Sequence, residues 1–164
     1  MPTYTVYIRI QRDFLAVRAI AQKGGGGYYE DVPQFAYHLH SKKPVAFGSA
    51  AAVYADARGF SVARVFHHPR LVVHDILATK KVLRYFLDKA LHRRSPFQRL
   101  HFVIHLLEAQ EGGLTDVEKS ALINLARGLG ARGVVLCTGA DEMSEAAVRD
   151  LTRPIRGNEF YEAT

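Results

Sequence analysis

Leu100-His101-Phe102-Val103-Ile104-His105-Leu106-Leu107, followed by the run from Gly112 to Thr138, is the part of the chain that decides the fold. The first eight residues are almost continuously apolar, as in a central strand buried on both faces. Residues 108–113 read as a loop. Thr115-Asp116-Val117-Glu118 has the form of a capping box, in which the threonine oxygen accepts the Glu118 amide and Glu118 reaches back. Val117, Ala121, Leu122, Leu125 and Leu129 recur at helical spacing and predict the buried face of a helix that ends at Gly128 and Gly130. Val134-Val135-Leu136-Cys137 reads as a second buried strand, so the unit is strand–helix–strand.

Working outward from this unit, Tyr4 to Ile10 alternates Tyr4, Val6, Ile8 and Ile10 with mostly polar residues, the period of a strand. Gln11-Arg12-Asp13 is a polar turn, and Phe14 to Ala21 is a second strand of the same hairpin. The four glycines Gly24 to Gly27 precede extended sequence (Tyr28 to Val32, then Phe35 to Leu39) rather than a helix. A phosphate cradle needs a helix N-terminus behind it, so the glycines read as a mobile turn between strands. Val45-Ala46-Phe47 is a short strand, Ser49 caps a short helix over Ala50 to Arg58, and Phe60 to Phe66 alternates again. Thr79 is expected to cap a helix whose apolar face is Val82, Leu83, Phe86, Leu87, Ala90 and Leu91. Asp141 is expected to cap a last helix that runs to Leu151, and the polar tail after Ile155 reads as loose. Three antiparallel strands followed by strand–helix–strand is the pattern of a ribonuclease H-like sheet.

The composition bounds the function. The chain has 164 residues, of which 48% are hydrophobic and 23% charged, and this is globular rather than disordered sequence. A single cysteine, Cys137, leaves no internal disulfide and no cysteine cluster for a metal, which fits a reducing cytoplasm. No apolar run approaches the ~20 residues of a membrane-spanning helix. Met1 to Arg12 reads as a strand, not as a secretory leader. Lys and Arg number 22 against 16 Asp and Glu, for a formal charge of +6. That charge admits an acidic partner such as nucleic acid, but it is scattered in short groups: Lys42-Lys43, Lys80-Lys81-Arg84 and Arg93-Arg94.

Four local strings, in order, resemble the MreB branch of the actin-like ATPases. Phe47-Gly48-Ser49-Ala50-Ala51 is similar to the family's V-G-x-x-A step from strand to helix. Val72 to Thr79, continuing to Leu83-Arg84-Tyr85-Phe86, is similar to its acidic turn and L-R-Y-F helix. Leu114-Thr115-Asp116-Val117-Glu118-Lys119 resembles its I-T-x-V-E-[RK] helix start. Leu129 to Leu136 resembles its A-G-A-R-x-V-x-L junction. The resemblance covers most of residues 4–145. It implies an α/β actin-like (ribonuclease H-like) half-domain with a mixed five-stranded sheet built from residues 1–37 and 75–155. A small α+β subdomain would be inserted at residues 38–74, with a loose tail at 156–164.

The departures from that family imply no ATPase activity and no bound cofactor. The family's first hairpin holds phosphate with a D-x-G-T turn, whereas Ile8-Arg9-Ile10-Gln11-Arg12-Asp13 has no glycine. Thr138 stands where the family places its water-activating glutamate, and threonine cannot polarise water as a carboxylate does. The chain stops where the family's second half would begin. The resemblance thus implies a pseudo-ATPase that works by contact in a bacterial cytoskeletal or cell-shape setting. The partner implied is a second copy or an actin-like protein, with nucleotide or nucleic-acid binding as the alternative.

Other chemistry finds little support in the residues. Eight histidines, among them His38, His40, His67, His68, His101 and His105, lack any H-E-x-x-H or H-x-x-E-H spacing, and no metal site is expected. The predicted central strands carry no carboxylates for a two-metal nuclease. Cys137, at the end of an apolar strand, reads as a small hydrophobe. Arg9, Arg12, Lys42, Lys43, Tyr28 and Tyr29 remain as candidate partner-contact residues. Tyr28, Tyr29, Phe35 and Tyr37 are equally what a sheet packed on a small subdomain would show.

Overall fold

Two sheets organise the chain. In this computed structural model residues 1–92, 96–108 and 112–154 are described, together with the backbone alone of 160–163. The Arg93-Arg94 pair and residues 109–111 of the loop after the central strand lie outside the described residues. The strands of the large sheet are β1 (Thr3–Ile10), β2 (Leu15–Ala21), β3 (Tyr28–Asp31), β7 (Arg99–Leu106), β8 (Ala131–Thr138) and β9 (Phe160–Ala163). The small sheet holds β4 (Gln34–His38), β5 (Pro44–Phe47) and β6 (Phe60–Arg64). The helices are α1 (Ile76–Leu91), α2 (Asp116–Gly128) and α3 (Glu145–Thr152), with a 3₁₀ helix over Gly48–Tyr54.

The large sheet has the order β3-β2-β1-β7-β8-β9. β1, β2 and β3 are antiparallel neighbours, while β1, β7, β8 and β9 are parallel. The five expected strands are therefore present as a mixed sheet. A sixth is added: Phe160–Ala163 pairs with Val134–Cys137, where the sequence reads as loose. The open edge of β8 supplies the unpaired amides and carbonyls that make this pairing favourable. Gln34 to Tyr37, expected in the large sheet, belong to the small one. The chain leaves the large sheet at Val32-Pro33, where proline has no amide for a ladder.

Side-chain parity divides the large sheet into two faces. Val6, Ile8 and Ile10 of β1, Val17 of β2, Phe102 and Ile104 of β7 and Leu136 of β8 pack with α1 and α2 in one apolar cluster. Tyr7, Ile20, Val103, Val135 and Cys137 form a smaller cluster with Val148 of α3 on the other face. The small sheet joins the first cluster through Phe35, and its seam with α1 is aromatic. Phe47 stacks on Tyr85 at 4.4 Å, and Tyr29 meets Phe86 edge-on at 5.0 Å. Tyr29 and Phe35 both take part in this packing.

Helix starts differ from the sequence expectation in three places. Asp75, not Thr79, caps α1: its carboxylate accepts the Ala78 amide at 2.9 Å. Thr79 lies buried inside the helix and donates its hydroxyl to the Asp75 carbonyl. Ser144, not Asp141, caps α3. Ser49 caps nothing: it lies inside a 3₁₀ helix, and both its amide, at 2.9 Å, and its hydroxyl, at 3.5 Å, turn to the Asp31 carboxylate. The capping box of α2 is present as expected, with Glu118 N to Thr115 Oγ1 at 3.2 Å and Thr115 N to Glu118 Oε2 at 2.9 Å. Val117, however, is 79% exposed, and Glu118 takes the inward position instead. There it also accepts the Val72 amide at 3.4 Å, which ties α2 to the segment before α1.

The glycine run is a packed turn rather than a loose one. Ala19 donates to the Gly27 carbonyl and Ala21 to that of Gly25, both at 2.8 Å. A Cβ on Gly26 would overlap the Ala19 carbonyl, and one on Gly27 the Ala90 carbonyl at the end of α1. Close backbone approach is what these positions require.

Candidate functional site

The parallel strands β1, β7 and β8 finish level with one another, with Ile10 opposite Leu106 and Leu106 opposite Thr138. Loops that leave the carboxyl ends of adjacent parallel strands form the usual ligand crevice of such a sheet. Here a cavity of about 200 Å³ is lined by Gln11, Arg12, His68, Leu71 and Glu108, among others. A neighbouring one of about 320 Å³ is lined by Leu107, Glu108, Leu114, Thr138, Gly139 and Ala140. Thr138 is exposed at the end of β8, as expected for a residue facing this crevice.

Three backbone donors at this edge are already committed. The Gln11 amide closes the β1–β2 turn on the Phe14 carbonyl at 2.8 Å. Leu107 N bonds Ile10 O at 3.1 Å, and Gly139 N bonds Leu106 O at 3.2 Å. An anion cradle needs convergent free amides, usually supplied by glycine. The β1–β2 turn, Gln11 to Phe14, contains no glycine.

Behind this edge, on the α3 face, the structure assembles polar groups that the sequence keeps far apart. Met143 N donates to Tyr7 Oη at 3.1 Å, and Tyr7 Oη lies 2.7 Å from His105 Nδ1. Both groups are satisfied when the phenol donates to Nδ1 and His105 carries its proton on Nε2. Burial holds the His105 pKa below the usual imidazole range; a hydrogen bond with the Gly139 backbone opposes this, and the Arg9 charge adds to it. Burial likewise raises the Tyr7 pKa. This neutral chain fastens the loop after β8 to β1 and β7.

The same loop is held by charge. Arg9 Nη1 pairs with Glu142 Oε2 at 2.7 Å, Arg9 Nη2 donates to Tyr28 Oη at 2.7 Å, and Tyr28 donates to Glu30. Arg18 lies 5.0 Å from the Tyr28 ring centre and pairs with Glu145 at 3.5 Å.

The six candidate contact residues do not converge. Arg9 is buried and engaged with Glu142, and Tyr28 sits beside it. Tyr29 points to the opposite face, into the seam with α1. Arg12 is exposed in the β1–β2 turn at the crevice, while Lys42 and Lys43 are exposed in the turn between β4 and β5. Among the histidines, His67 pairs with Asp13 and His68 lies 5.4 Å from His74. Among the described residues no group of three or more His, Cys, Asp or Glu is placed to hold a metal ion. Cys137 is buried and its thiol is pushed up to about 11 by burial, so it carries little thiolate.

The Tyr7–His105 pair and the Arg9–Glu142 pair are what the sequence reading missed. A signal existed for the first. His101 and His105 share one parity within an otherwise apolar strand, so one face of that strand had to accommodate imidazoles.

Solved structures share this architecture. The chain matches MreB5 of Spiroplasma citri bound to ADP with a TM-score of 0.63 and 17% identity, over 82% of this chain and 37% of that one. The same protein bound to AMPPNP matches at 0.63 and 16%, over 82% and 38%. A non-polymerising A278D mutant of MamK bound to AMPPNP matches at 0.60 and 14%, over 82% and 41%. The chain thus has an actin-like α/β fold and spans about two fifths of the length of the structures it matches. No protein-family model and no curated protein matches the sequence. No helix among the described residues is long and apolar enough to cross a membrane.

Proposed function

We propose that this actin-like half-domain is non-catalytic and works by contact with another protein, either a second copy or an actin-like partner. The observation that carries the reading is the crevice edge. The β1–β2 turn has no glycine, the amides of Gln11, Leu107 and Gly139 are spent on backbone carbonyls, and the carboxyl end of β8 presents Thr138. Threonine does not activate water as a carboxylate does. The contact surface is taken to be where α1 and α2 begin. Leu71, Ile76, Leu77 and Val117 are exposed there, and the Val72–Glu118 hydrogen bond holds the two segments together. A role in bacterial cell shape follows from the family likeness and belongs to the same proposal.

The test has two arms. Phosphate release from Mg-ATP is expected to stay at the no-protein blank, and Thr138→Glu is expected not to rescue it, because the β1–β2 turn is unchanged. Release above blank that Thr138→Ala abolishes overturns the non-catalytic reading. Light scattering at rising concentration is expected to show association that Leu77→Lys weakens. A monomer at every concentration, with no protein recovered on it from cells, overturns the contact reading.

Nucleotide retention without hydrolysis is the second reading, favoured by the ADP and AMPPNP in the matched structures. It predicts a rise in melting temperature with Mg-ATP. Salt-sensitive DNA or RNA binding would follow instead from the +6 charge.

A further inference from the structure

We propose that the cavity at the amino end of the parallel strands, on the α3 face, binds the phosphate group of a small anionic molecule. It lies at the opposite end of β1 and β7 from the crevice and does not depend on the reading given to that crevice. The sheet builds half of it. Thr5 pairs with His101 across β1 and β7 and with Ile20 across β1 and β2, and Thr3 precedes Thr5 by one pleat. All of them point to the α3 face. Helix α3 builds the other half: Arg149 and Thr152 lie on one helical face, and Arg153 follows at the helix C-cap. The space between them, open on one side, is about 310 Å³.

The chemistry of the lining favours an oxyanion. Arg149 donates to the main-chain carbonyls of Ala21 at 3.2 Å and Gln22 at 3.4 Å, so its guanidinium is fixed in place, and among the described residues no carboxylate pairs with it. Arg153 is 79% exposed at the rim, 3.1 Å from Asp150, its ion-pair partner. No acidic side chain among the described residues lines the cavity. His101 lines the cavity, while its Nδ1 is closed off from solvent with no hydrogen-bond partner among the described residues. Burial, then the charges of Arg132 and Arg99, hold the His101 pKa down. An anion set between His101 and Arg149 offsets that repulsion, and the imidazole then protonates more readily.

The experiment follows the His101 ring resonances by NMR while inorganic phosphate is added at constant ionic strength. A saturable shift is expected, with an upward move of the His101 pKa. Arg153→Glu, a change at an exposed position, is expected to weaken binding about tenfold without altering the melting temperature. Arg149→Gln is expected to abolish binding if the variant folds. Tighter binding of glycerol phosphate than of inorganic phosphate assigns the ligand to the organic phosphates, and equal affinity assigns it to the free ion. No saturable shift up to ~10 mM phosphate, or the same shift in wild type and in Arg153→Glu, overturns the proposal.

Discussion

The two faces of the large sheet are built on different terms. The face under α1 and α2 is a dry apolar cluster, with Phe86, Phe102, Ile104 and Leu122 fully buried and Glu118 the main polar intrusion. The α3 face holds a smaller cluster, six buried residues with Val148 of α3 among those described, and depends on polar groups that pair across long sequence distances. Tyr7, His105 and Met143 form one such group, and Arg9, Glu142 and Tyr28 another. Apolar burial is additive and indifferent to partner, so the first face supplies stability. Hydrogen bonds are worth less on balance but are costly when left unmade, so the second face supplies alignment and sensitivity to pH.

That contrast can be broken by measurement. Phe86→Ala should cost about 3–5 kcal/mol in urea unfolding, the range for an aromatic removed from a closed core. A loss near that of a surface change would mean that the α1 face is not the stabilising one. Tyr7→Phe keeps the ring and removes one oxygen, stranding the Met143 amide and His105 Nδ1. It should cost about 1–3 kcal/mol by the same assay. A neutral result would reduce the polar chain to a coincidence of packing.

The pH response belongs to the α3 face as well. His105 and His101 both have lowered pKa values when folded, chiefly through burial. The unfolded chain therefore takes up protons first, near pH 6.5, while the folded imidazoles stay neutral. Stability is full above that value and should fall as pH drops from about 7 towards the lowered folded values, by up to about 1.4 kcal/mol per unit for each group. Thermal melts from pH 7.5 to about 5 check this, and His105→Gln should flatten the slope. Glu118, whose hydrogen bonds outweigh its burial and lower its pKa, acts only in the more acid carboxylate range.

Two smaller effects sharpen the account of the α2 start. Thr115→Ala breaks the capping box and should cost about 1 kcal/mol in chemical unfolding. Val117→Lys should change stability by no more than about 0.5 kcal/mol, since the side chain is exposed. A larger loss would restore Val117 to the core, where helical spacing alone had put it.

Local signals were legible wherever a few consecutive residues settle the outcome. The capping box, the apolar faces of α1 and α2 and the alternation of β1 could all be read directly. Caps were misassigned where two acceptors compete. Asp75 and Thr79 both precede α1-type sequence, and only backbone geometry shows that Asp75 is extended while Thr79 is already helical. Phe160 to Ala163 carried no pattern strong enough to stand as a strand, and the β8 edge supplied the missing reason. The aromatic residues between Tyr28 and Phe47 were visible as a group, but which of them faced α1 depended on where the chain passed from one sheet to the other.

The sequence by itself determined the order of strands and helices, the actin-like class of fold, a β1–β2 turn without glycine, and a threonine at position 138. These rest on residue type and spacing, which act over a few positions at a time. Only the tertiary structure decided that Tyr7 meets His105, that Arg9 is spent on Glu142, and that His101 faces Arg149 across a cavity. Such partners lie tens to more than a hundred residues apart. Their meeting depends on strand register and on the placement of α3, which no local propensity encodes.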